Sequence, residues 1–369
     1  MNTTKSNKIL RLRDCLNAAA FLTIIGIFFI LNIVVRPPAI LISERRAPAK
    51  LPAFTYQTVV SGSFMSRFEE YAADSFVFRD GFRMLKAEMV FNVFKQSDKS
   101  GLYFGQAGAG EYKRLNPLSA KQSAEKIRKV ADAIDGCSIY YSIIPDKSIY
   151  AGKYLPGFEL SPVERILSDA MGAYTYIPLQ DCLDAASFYK TDLHWDQPMI
   201  SAVMERLSDA MGVKPDIRGY EKKDAGAFKG AYAGQMALPM DPDQLVYMDS
   251  PALRASRLND VTLVFEECPV YDLARLSGVD PYDVFLRGPE AIVIVENADV
   301  PEGELYLLRD SFGSSLAPLL ASAYRKVTLI DLRYIDARVL DQFVEFTPGA
   351  DVLFLYSSMI LNNPSILKA

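Results

Sequence analysis

The 369-residue sequence has few of the side chains from which metal sites, disulfide frameworks and nucleic-acid interfaces are built. It contains one histidine, one tryptophan and four cysteines, and its formal net charge is −5. A single histidine excludes a multi-histidine metal site, and no Cys-x-x-Cys pair or calcium-loop pattern is present. Four scattered cysteines are too few for a disulfide framework, and the acidic balance lacks the basic footprint of nucleic-acid-binding proteins. We therefore expect no metal, no cofactor and no nucleic-acid partner.

One long apolar run stands out in this sequence. Residues Ala18–Val35 carry no charge, and about 20 apolar residues in a helix cross a bilayer core of about 30 Å. The run follows four basic residues, opposed only by Asp14: Lys5, Lys8, Arg11 and Arg13. Positively charged flanks stay in the cytoplasm. We therefore predict a cytoplasmic segment 1–17, an uncleaved signal-anchor at 18–35 in the cell membrane, and an extracytoplasmic main domain.

Two other interpretations of this run are open. A cleaved signal peptide usually has an apolar core of about 7 to 15 residues and a small-x-small cleavage site. This run is longer and ends in Val35-Arg36-Pro37-Pro38. The other interpretation, a buried core helix, is disfavoured because every face of this run is apolar. The sequence favours the anchor and leaves cleavage open.

The rest of the chain shows the alternation of helices and strands that is typical of an α/β fold. A helix followed by a short apolar strand is the unit of a parallel sheet, and strands that are apolar on both faces indicate a sheet covered by helices on each side. The periodicity predicts helices at Phe64–Lys95, Ser119–Ile134, Ser315–Ala323 and Ile335–Val344. It predicts strands at Ser138–Ile144, Ala291–Val295, Leu305–Leu308, Val327–Ile330 and Val352–Tyr356.

The predicted domain organisation follows from composition. Residues 36–60 are rich in proline, alanine and charge, which is typical of a stalk. We predict one extracytoplasmic α/β domain over residues 61–369, with a mostly parallel sheet flanked by helices. Within it, residues 215–260 are polar, contain glycine and proline, and lack periodicity, so we interpret them as an irregular insertion or lid.

The first motif with catalytic potential is the segment Tyr189–Trp195, which holds the only histidine and the only tryptophan. Asp192 and His194 are two residues apart, so in an extended segment they project on the same side. A carboxylate beside an imidazole fixes the imidazole tautomer and raises its basicity, which a general base needs.

The second motif is the segment Leu305–Gly313, in which Ser311 follows a buried strand and precedes a helix. In open α/β sheets, ligands bind at the carboxyl ends of the strands. Ser311 is therefore a candidate nucleophile with His194 as its base and Asp192 as the group that orients the base. The alternative is structural, because a serine at this position is often a helix N-cap.

These two motifs resemble those of the DHHW family of bacterial exported proteins, which are related to alginate O-acetylation proteins and to SGNH hydrolases. The family's Thr-Asp-x-His-Trp motif matches Thr191-Asp192-Leu193-His194-Trp195, and its Gly-Asp-Ser-Phe block matches Arg309-Asp310-Ser311-Phe312. Leu193 stands where the family name has a second histidine, and Arg309 replaces the glycine. The order Asp, His, Ser is opposite to that of ordinary SGNH hydrolases, which implies a permuted SGNH hydrolase-like fold.

Further matches extend the resemblance over roughly residues 50–365. They lie at Phe68–Asp74, Phe78–Asp80, Gly101–Gly105, Pro145–Lys147 with Tyr150, Leu155–Pro156, Asp280–Gly288, Val352–Tyr356 and Leu361–Asn363. The family block at Gly288 usually ends Gly-Asn, whereas here Pro289 follows. The resemblance implies Gly288 and Gly313 as candidates for the oxyanion site. Lys147 and Arg309 are candidates for holding an anionic polymer, and Tyr189, Trp195 and Tyr282 for stacking on sugar rings.

The resemblance implies transfer of an acyl group, expected to be acetyl, from an acyl-serine to a cell-surface polysaccharide or wall polymer. It also implies a membrane-bound O-acyltransferase as the partner that delivers the acyl group. Two alternatives stay open: a carbohydrate esterase with the same triad, and an inactive glycan-binding or assembly subunit. The departures at Arg309 and Pro289 favour the inactive alternative.

Overall fold

The chain forms two compact units in the computed structural model, Met1–Met89 and Val90–Ala369. The model describes residues 2–152 and 158–369, with side chains from residue 12 onward. The Leu155–Pro156 match therefore lies outside the described residues. Residues 61–89 belong to the first unit rather than to the α/β domain, to which the sequence prediction assigned them.

The first unit begins with one long helix, α1 (Asn2–Val34). Its part Leu12–Val34 is long and apolar enough to cross a membrane, and its side chains are largely exposed. The apolar run predicted from sequence is thus a candidate membrane span. Its orientation and its retention as an anchor remain predictions.

Three helices follow, α2 (Tyr56–Val60), α3 (Ser63–Ser75) and α4 (Arg79–Glu88). The single helix predicted at Phe64–Lys95 is therefore wrong, because it is interrupted after Ser75. At the interruption Phe78 has a φ of 59°. This left-handed conformation is unfavourable for an L-residue with a side chain and does not continue a right-handed helix.

An ionic cluster holds the predicted stalk against these helices. The Arg46 guanidinium donates to both oxygens of buried Asp74, at 2.6 and 2.8 Å, and the Ala49 N–H donates to the same carboxylate at 2.8 Å. The hydrogen bond from Arg46 lowers the pKa of Asp74. Arg79 pairs with Glu44. Residues 44–49 are therefore fixed on the first unit and do not extend freely as a stalk.

The second unit is an α/β domain. Its helices are α5 (Pro117–Asp132), α6 (Leu160–Met171), α7 (Ser201–Ala210), α8 (Ala231–Met236), α9 (Phe312–Leu320) and α10 (Ser358–Leu361). Its strands are β1 (Asp98–Lys99), β2 (Leu102–Gly105), β3 (Gly108–Glu111), β4 (Ser138–Ile144), β5 (Thr175–Tyr176), β6 (Glu221–Phe228), β7 (Asp243–Asp249), β8 (Leu253–Leu258), β9 (Phe265–Cys268), β10 (Ile292–Asn297), β11 (Glu304–Arg309), β12 (Lys326–Ile330) and β13 (Asp351–Ser357).

Eight of these strands form the central sheet, in the order β5-β4-β13-β11-β12-β10-β8-β9. The first five strands are parallel to one another, and the pairs β12–β10, β10–β8 and β8–β9 are antiparallel. The predicted fold class, a mostly parallel sheet flanked by helices, is confirmed. The predicted strands correspond to β4, β10, β11, β12 and β13, whereas the helix predicted at Ile335–Val344 is a short 3-10 helix, Ala337–Gln342.

Both faces of the sheet are covered, which explains the continuous apolar strands. Leu305 and Leu307 of β11 pack on one face with α7 and α9. Tyr306 and Leu308 pack on the other face with α5 and α6. Since successive strand residues point to opposite faces, a strand buried on both sides has no polar alternation.

Residues 215–260 are ordered secondary structure, so the prediction of an irregular insertion is wrong. β6 and β7 form an antiparallel pair, with α8 between them in the sequence. β8 joins the central sheet. The strand β6 reads EKKDAGAF and is mostly exposed, so it lacks the apolar alternation by which a strand is recognised.

The central strand gives a test of the fold. Leu307 has no exposed surface and packs in the core of one face. We expect Leu307→Ala to lower the free energy of unfolding by about 2 to 5 kcal/mol, because the lost methyl groups leave a cavity. The measurement is urea unfolding followed by circular dichroism. Leu118→Ala is the matched control, since Leu118 is 65% exposed, and a loss as large as that of Leu307→Ala would contradict the assignment.

Candidate active site

The two sequence motifs meet at the carboxyl end of β11. Ser311 Oγ lies 2.7 Å from His194 Nε2, and His194 Nδ1 lies 2.6 Å from Asp192 Oδ1. The Asp192 carboxylate accepts a hydrogen bond from the protonated Nδ1. Nε2 is then unprotonated and accepts a hydrogen bond from the serine hydroxyl. Asp192 and His194 are buried, whereas Ser311 is partly exposed. The arrangement is that of an activated serine with an oriented base.

The junction of β11 and α9 fixes the position of Ser311. Asp310 accepts a hydrogen bond from the Phe312 N–H at 3.1 Å and another from the Ser357 N–H, at the end of β13, at 2.7 Å. The side chain of Ser311 caps no N–H of the helix. Asp310 therefore performs the structural task that was the alternative for Ser311, and the serine hydroxyl bonds to His194 instead.

Asp192 is held by backbone donors from two segments. Its Oδ1 accepts from the His194 N–H at 3.1 Å, and its Oδ2 accepts from the Ala231 N–H at 2.8 Å. A Cβ on Gly230 would lie 2.3 Å from the Asp192 Cβ, so only glycine fits there. Residues 230 and 231 come from the segment that we predicted to be a lid. Sequence reasoning missed them because no pattern around residue 230 points to position 192.

Lys147 supports the same loop from the protein interior. Its Nζ donates to the carbonyl oxygens of Tyr189 at 2.7 Å and of Asp192 at 2.8 Å, and the residue is 4% exposed. Removal from water lowers the pKa of Lys147 to about 8. The expectation that Lys147 contacts an anionic polymer is therefore corrected, because its ammonium group is occupied by main-chain carbonyls.

The side chain of Arg309 is also buried and is not accessible to a polymer. Its Nη1 donates to Asp331 at 3.2 Å and to the Asp310 carbonyl at 3.3 Å, and the residue is 1% exposed. Arg333 donates two hydrogen bonds to the same Asp331, at 2.9 and 2.6 Å. A Cβ on Gly313 would lie 2.7 Å from the Arg309 Cβ. The expected polymer contact of Arg309 is thus corrected to packing against the start of α9.

The three aromatic candidates for sugar stacking are buried. Tyr189 and Tyr282 are 3% exposed and Trp195 is not exposed at all. The ring of Tyr282 lies parallel to the His194 imidazole at 3.7 Å between centroids, and Tyr189 packs edge-on against Phe228. In the described structure these rings pack around the segment Tyr189–Trp195, and none of them presents an open face to a sugar. The stacking expectation is therefore corrected.

Ser315 gathers the aromatic side chains around the site. Its Oγ accepts from Trp195 Nε1 and from the Tyr282 hydroxyl, both at 2.8 Å, and donates to the Phe312 carbonyl at 3.3 Å. Sequence reasoning missed this residue. The available signal was its spacing, because Ser315 is four residues after Ser311 and so lies one helical turn further along the same face.

The expected oxyanion donors are placed differently from the prediction. The Gly313 N–H already bonds to the Asp310 carbonyl at 3.1 Å. Gly288 has a φ of 86°, and a Cβ there would lie 2.1 Å from an Asp283 oxygen. The turn therefore requires glycine at this position. Among the described residues, the Ser311 N–H has no hydrogen-bond acceptor. It is therefore a candidate donor for an oxyanion at this site.

Residues 2–152 and 158–369 contain no group of three or more His, Cys, Asp or Glu side chains arranged to hold a metal ion.

No protein-family model matches the sequence, and no curated protein does. The fold, however, is similar to solved structures. A DHHW family protein from Eubacterium siraeum superposes with a TM-score of 0.58 at 16% identity, over 73% of this chain and 94% of that one. Bacillus cereus PatB1 gives a TM-score of 0.56 at 15% identity, over 73% of this chain and 99% of that one.

A third structure, the O-acetyltransferase domain of Pseudomonas putida AlgJ, gives a TM-score of 0.43 at 13% identity, over 72% of this chain and 93% of that one. A TM-score this low does not establish a common fold. The resemblance to DHHW proteins that the motifs indicated is confirmed in the fold, and the low identities do not extend it to activity.

Lys147 gives a test of the buried site through the pH dependence of stability. Burial lowers its pKa from 10.5 to about 8, so between these values the unfolded chain binds more protons than the folded one. Stability therefore rises with pH in that window, by at most about 1.4 kcal/mol per unit, and is independent of this group below it. We expect the difference in unfolding free energy between the native protein and Lys147→Met to grow from pH 8 to pH 10.5. Exposed Lys214→Met is the control, and a flat difference for Lys147→Met would count against the assignment.

Proposed function

We propose that this protein is a serine O-acyltransferase that acts outside the cytoplasm and transfers an acyl group, expected to be acetyl, to a cell-surface polysaccharide or wall polymer. The observation that carries the proposal is the hydrogen-bonded series Asp192, His194 and Ser311, in which only the serine is partly exposed. A buried base and an accessible hydroxyl suit a covalent acyl intermediate.

In the first half-reaction, Ser311 Oγ attacks the carbonyl carbon of the acyl donor while His194 Nε2 accepts the hydroxyl proton. The bond from the carbonyl carbon to the donor's leaving atom then breaks, and that atom takes the proton from His194. Asp192 stabilises the imidazolium that forms in between and keeps Nδ1 as the protonated nitrogen. The product of this half-reaction is an acyl-serine ester.

In the second half-reaction, a sugar hydroxyl gives its proton to His194 and its oxygen attacks the acyl carbon. The bond to Ser311 Oγ breaks, and the serine oxygen recovers the proton. Negative charge develops on the acyl oxygen in both halves. We expect the Ser311 N–H and the N-terminus of α9, which begins at Phe312, to stabilise this oxygen.

The choice of acyl transfer is supported by the sequence motifs, which resemble those of alginate O-acetylation proteins. A membrane-bound O-acyltransferase that presents the acyl group is part of the proposal, as is anchoring by the candidate span of α1. Confining donor and acceptor proteins to one membrane surface raises the effective concentration of their encounter.

A carbohydrate esterase is the second candidate, since water in place of the sugar hydroxyl gives hydrolysis with the same residues. The third interpretation, an inactive binding subunit, was favoured by Arg309. The structure removes part of that support, because Arg309 packs against Gly313 and leaves the Ser311–His194 hydrogen bond intact.

The triad is tested with a nitrophenyl acetate ester. We expect Ser311→Ala and His194→Ala each to lower kcat/KM by about 10³-fold or more, because either change removes proton transfer or the nucleophile. Absorbance of released nitrophenol measures the rate. Ser365→Ala is the matched serine control, since Ser365 is exposed at the C-terminal end of the chain. Full activity in Ser311→Ala would show that another group does the chemistry.

Transfer and hydrolysis are distinguished by the acceptor. With an acyl-nitrophenyl donor and a soluble oligosaccharide, we expect acylated sugar to exceed free acid, and mass spectrometry after brief donor exposure to show an acyl group on Ser311. Free acid alone, at a rate that sugar does not change, would favour the esterase. An unmodified Ser311 with no turnover would favour the binding subunit.

A further inference from the structure

The α3–α4 pair (residues 63–88) exposes large apolar side chains. Phe78, in the turn 76–78, is 67% exposed, and Phe68, Phe76 and Phe82 are exposed by 39 to 46%. Soluble surfaces rarely show aromatic residues in such density, and exposed apolar patches of this kind mark a contact with a membrane or a partner.

This aromatic surface is continuous with the candidate membrane span. The ring of Phe28 in α1 stacks on Phe76 at 5.8 Å between centroids and lies against Phe82 at the same distance. Between α1 and α3 lies an apolar groove of about 580 Å³, whose walls include Ile24 and Phe68. The lipid that surrounds α1 would therefore also reach the α3–α4 pair.

A polar contact fixes the depth of the turn. The Val77 N–H donates to Asn32 Oδ1 at 2.9 Å, and Asn32 Nδ2 donates to the Phe28 carbonyl at 2.7 Å. Asn32 is two residues and Phe28 six residues before the end of α1 at Val34. At 1.5 Å per residue they lie about 3 and 9 Å inside that end. The depth of Phe28, which contacts the aromatic residues, falls within the 5–10 Å to which interfacial helices bury their apolar face.

The same contact gives the Val77 N–H a hydrogen-bond acceptor. In hydrocarbon an unpaired N–H is costly because no water replaces its acceptor. Asn32 is the only amide side chain in the run 18–35, and it accepts from the turn that carries the exposed aromatic residues. A turn lying in water would not need an acceptor from the span.

Charged side chains flank the turn in the sequence. Asp74 and Arg79 flank the aromatic residues and bond to Arg46 and Glu44. Asp80 and Arg83 bond to the same groups, so the cluster holds three acidic and three basic groups. Their charges balance, and the cluster therefore favours the headgroup layer without requiring an anionic lipid. An aromatic side in the acyl region with a charged side at the headgroups is the distribution of an interfacial helix.

We propose that the α3–α4 pair is a second membrane contact, with the turn 76–78 inserted at the headgroup–acyl boundary of the leaflet in which α1 ends. The occupant of its aromatic surface is a zwitterionic phospholipid bilayer. The proposal rests on α1 spanning the membrane and is independent of the chemistry at Ser311.

The test places a tryptophan in the turn. The full chain carrying Phe78→Trp is reconstituted into phosphatidylcholine vesicles, at less than one copy per vesicle, with or without bromine on the acyl chains. We expect bromine to reduce the added emission about twofold at shallow bromine positions, because insertion brings the indole within contact of the acyl chains. The buried Trp195 gives a constant background.

Val261→Trp is the matched control, because Val261 is 89% exposed in the second unit, and we expect bromine to leave its emission unchanged. Equal, unquenched emission from both variants would overturn the proposal, as would a blue-shifted but unquenched signal from Phe78→Trp, which means that protein covers the turn. Failure of the chain to float with the vesicles would also overturn the proposal, because it would show that α1 does not span the membrane. Ester hydrolysis measured on the same samples reports the triad separately.

Discussion

The buried carboxylate of Asp192 is the constraint on which the rest of the site depends. A carboxylate without exposure to water needs a donor at each oxygen, and this one receives the His194 ring, the His194 N–H and the Ala231 N–H. These donors fix the imidazole plane, and with it the direction in which Nε2 meets Ser311. The loop from Gly230 approaches so closely that no side chain fits. The geometry of the base therefore also depends on Gly230 and Ala231, which take no part in proton transfer.

The resemblance and the strand pattern predicted much of the fold. The continuous apolar strands β4, β11 and β13 were recognisable because both faces of the sheet are covered, and the triad was recognisable because its members are rare or follow such a strand. Residues 215–260 were not, since an exposed strand such as β6 carries no periodic signal. The supporting roles of Lys147 and Ser315 depend on contacts between distant segments, which single-sequence spacing does not report.

One departure from the motif that this chain resembles is absorbed locally. Arg309 stands at the motif's glycine position, and its side chain occupies the space that a Cβ on Gly313 would need. The exchange is therefore local: bulk is added at one position, and the glycine four residues later leaves room for it. Its guanidinium shares Asp331 with Arg333, so one buried carboxylate is the ionic partner of two arginines.

The parallel contact between the rings of Tyr282 and His194, 3.7 Å apart, has a consequence for magnetic resonance. The circulating electrons of the tyrosine ring shield the imidazole protons beneath it and shift their signals upfield. Because the chain contains one histidine, those signals need no assignment by mutagenesis. A single pair of proton lines would report whether the loop with Asp192 is seated on the sheet, under any condition in which the protein is folded.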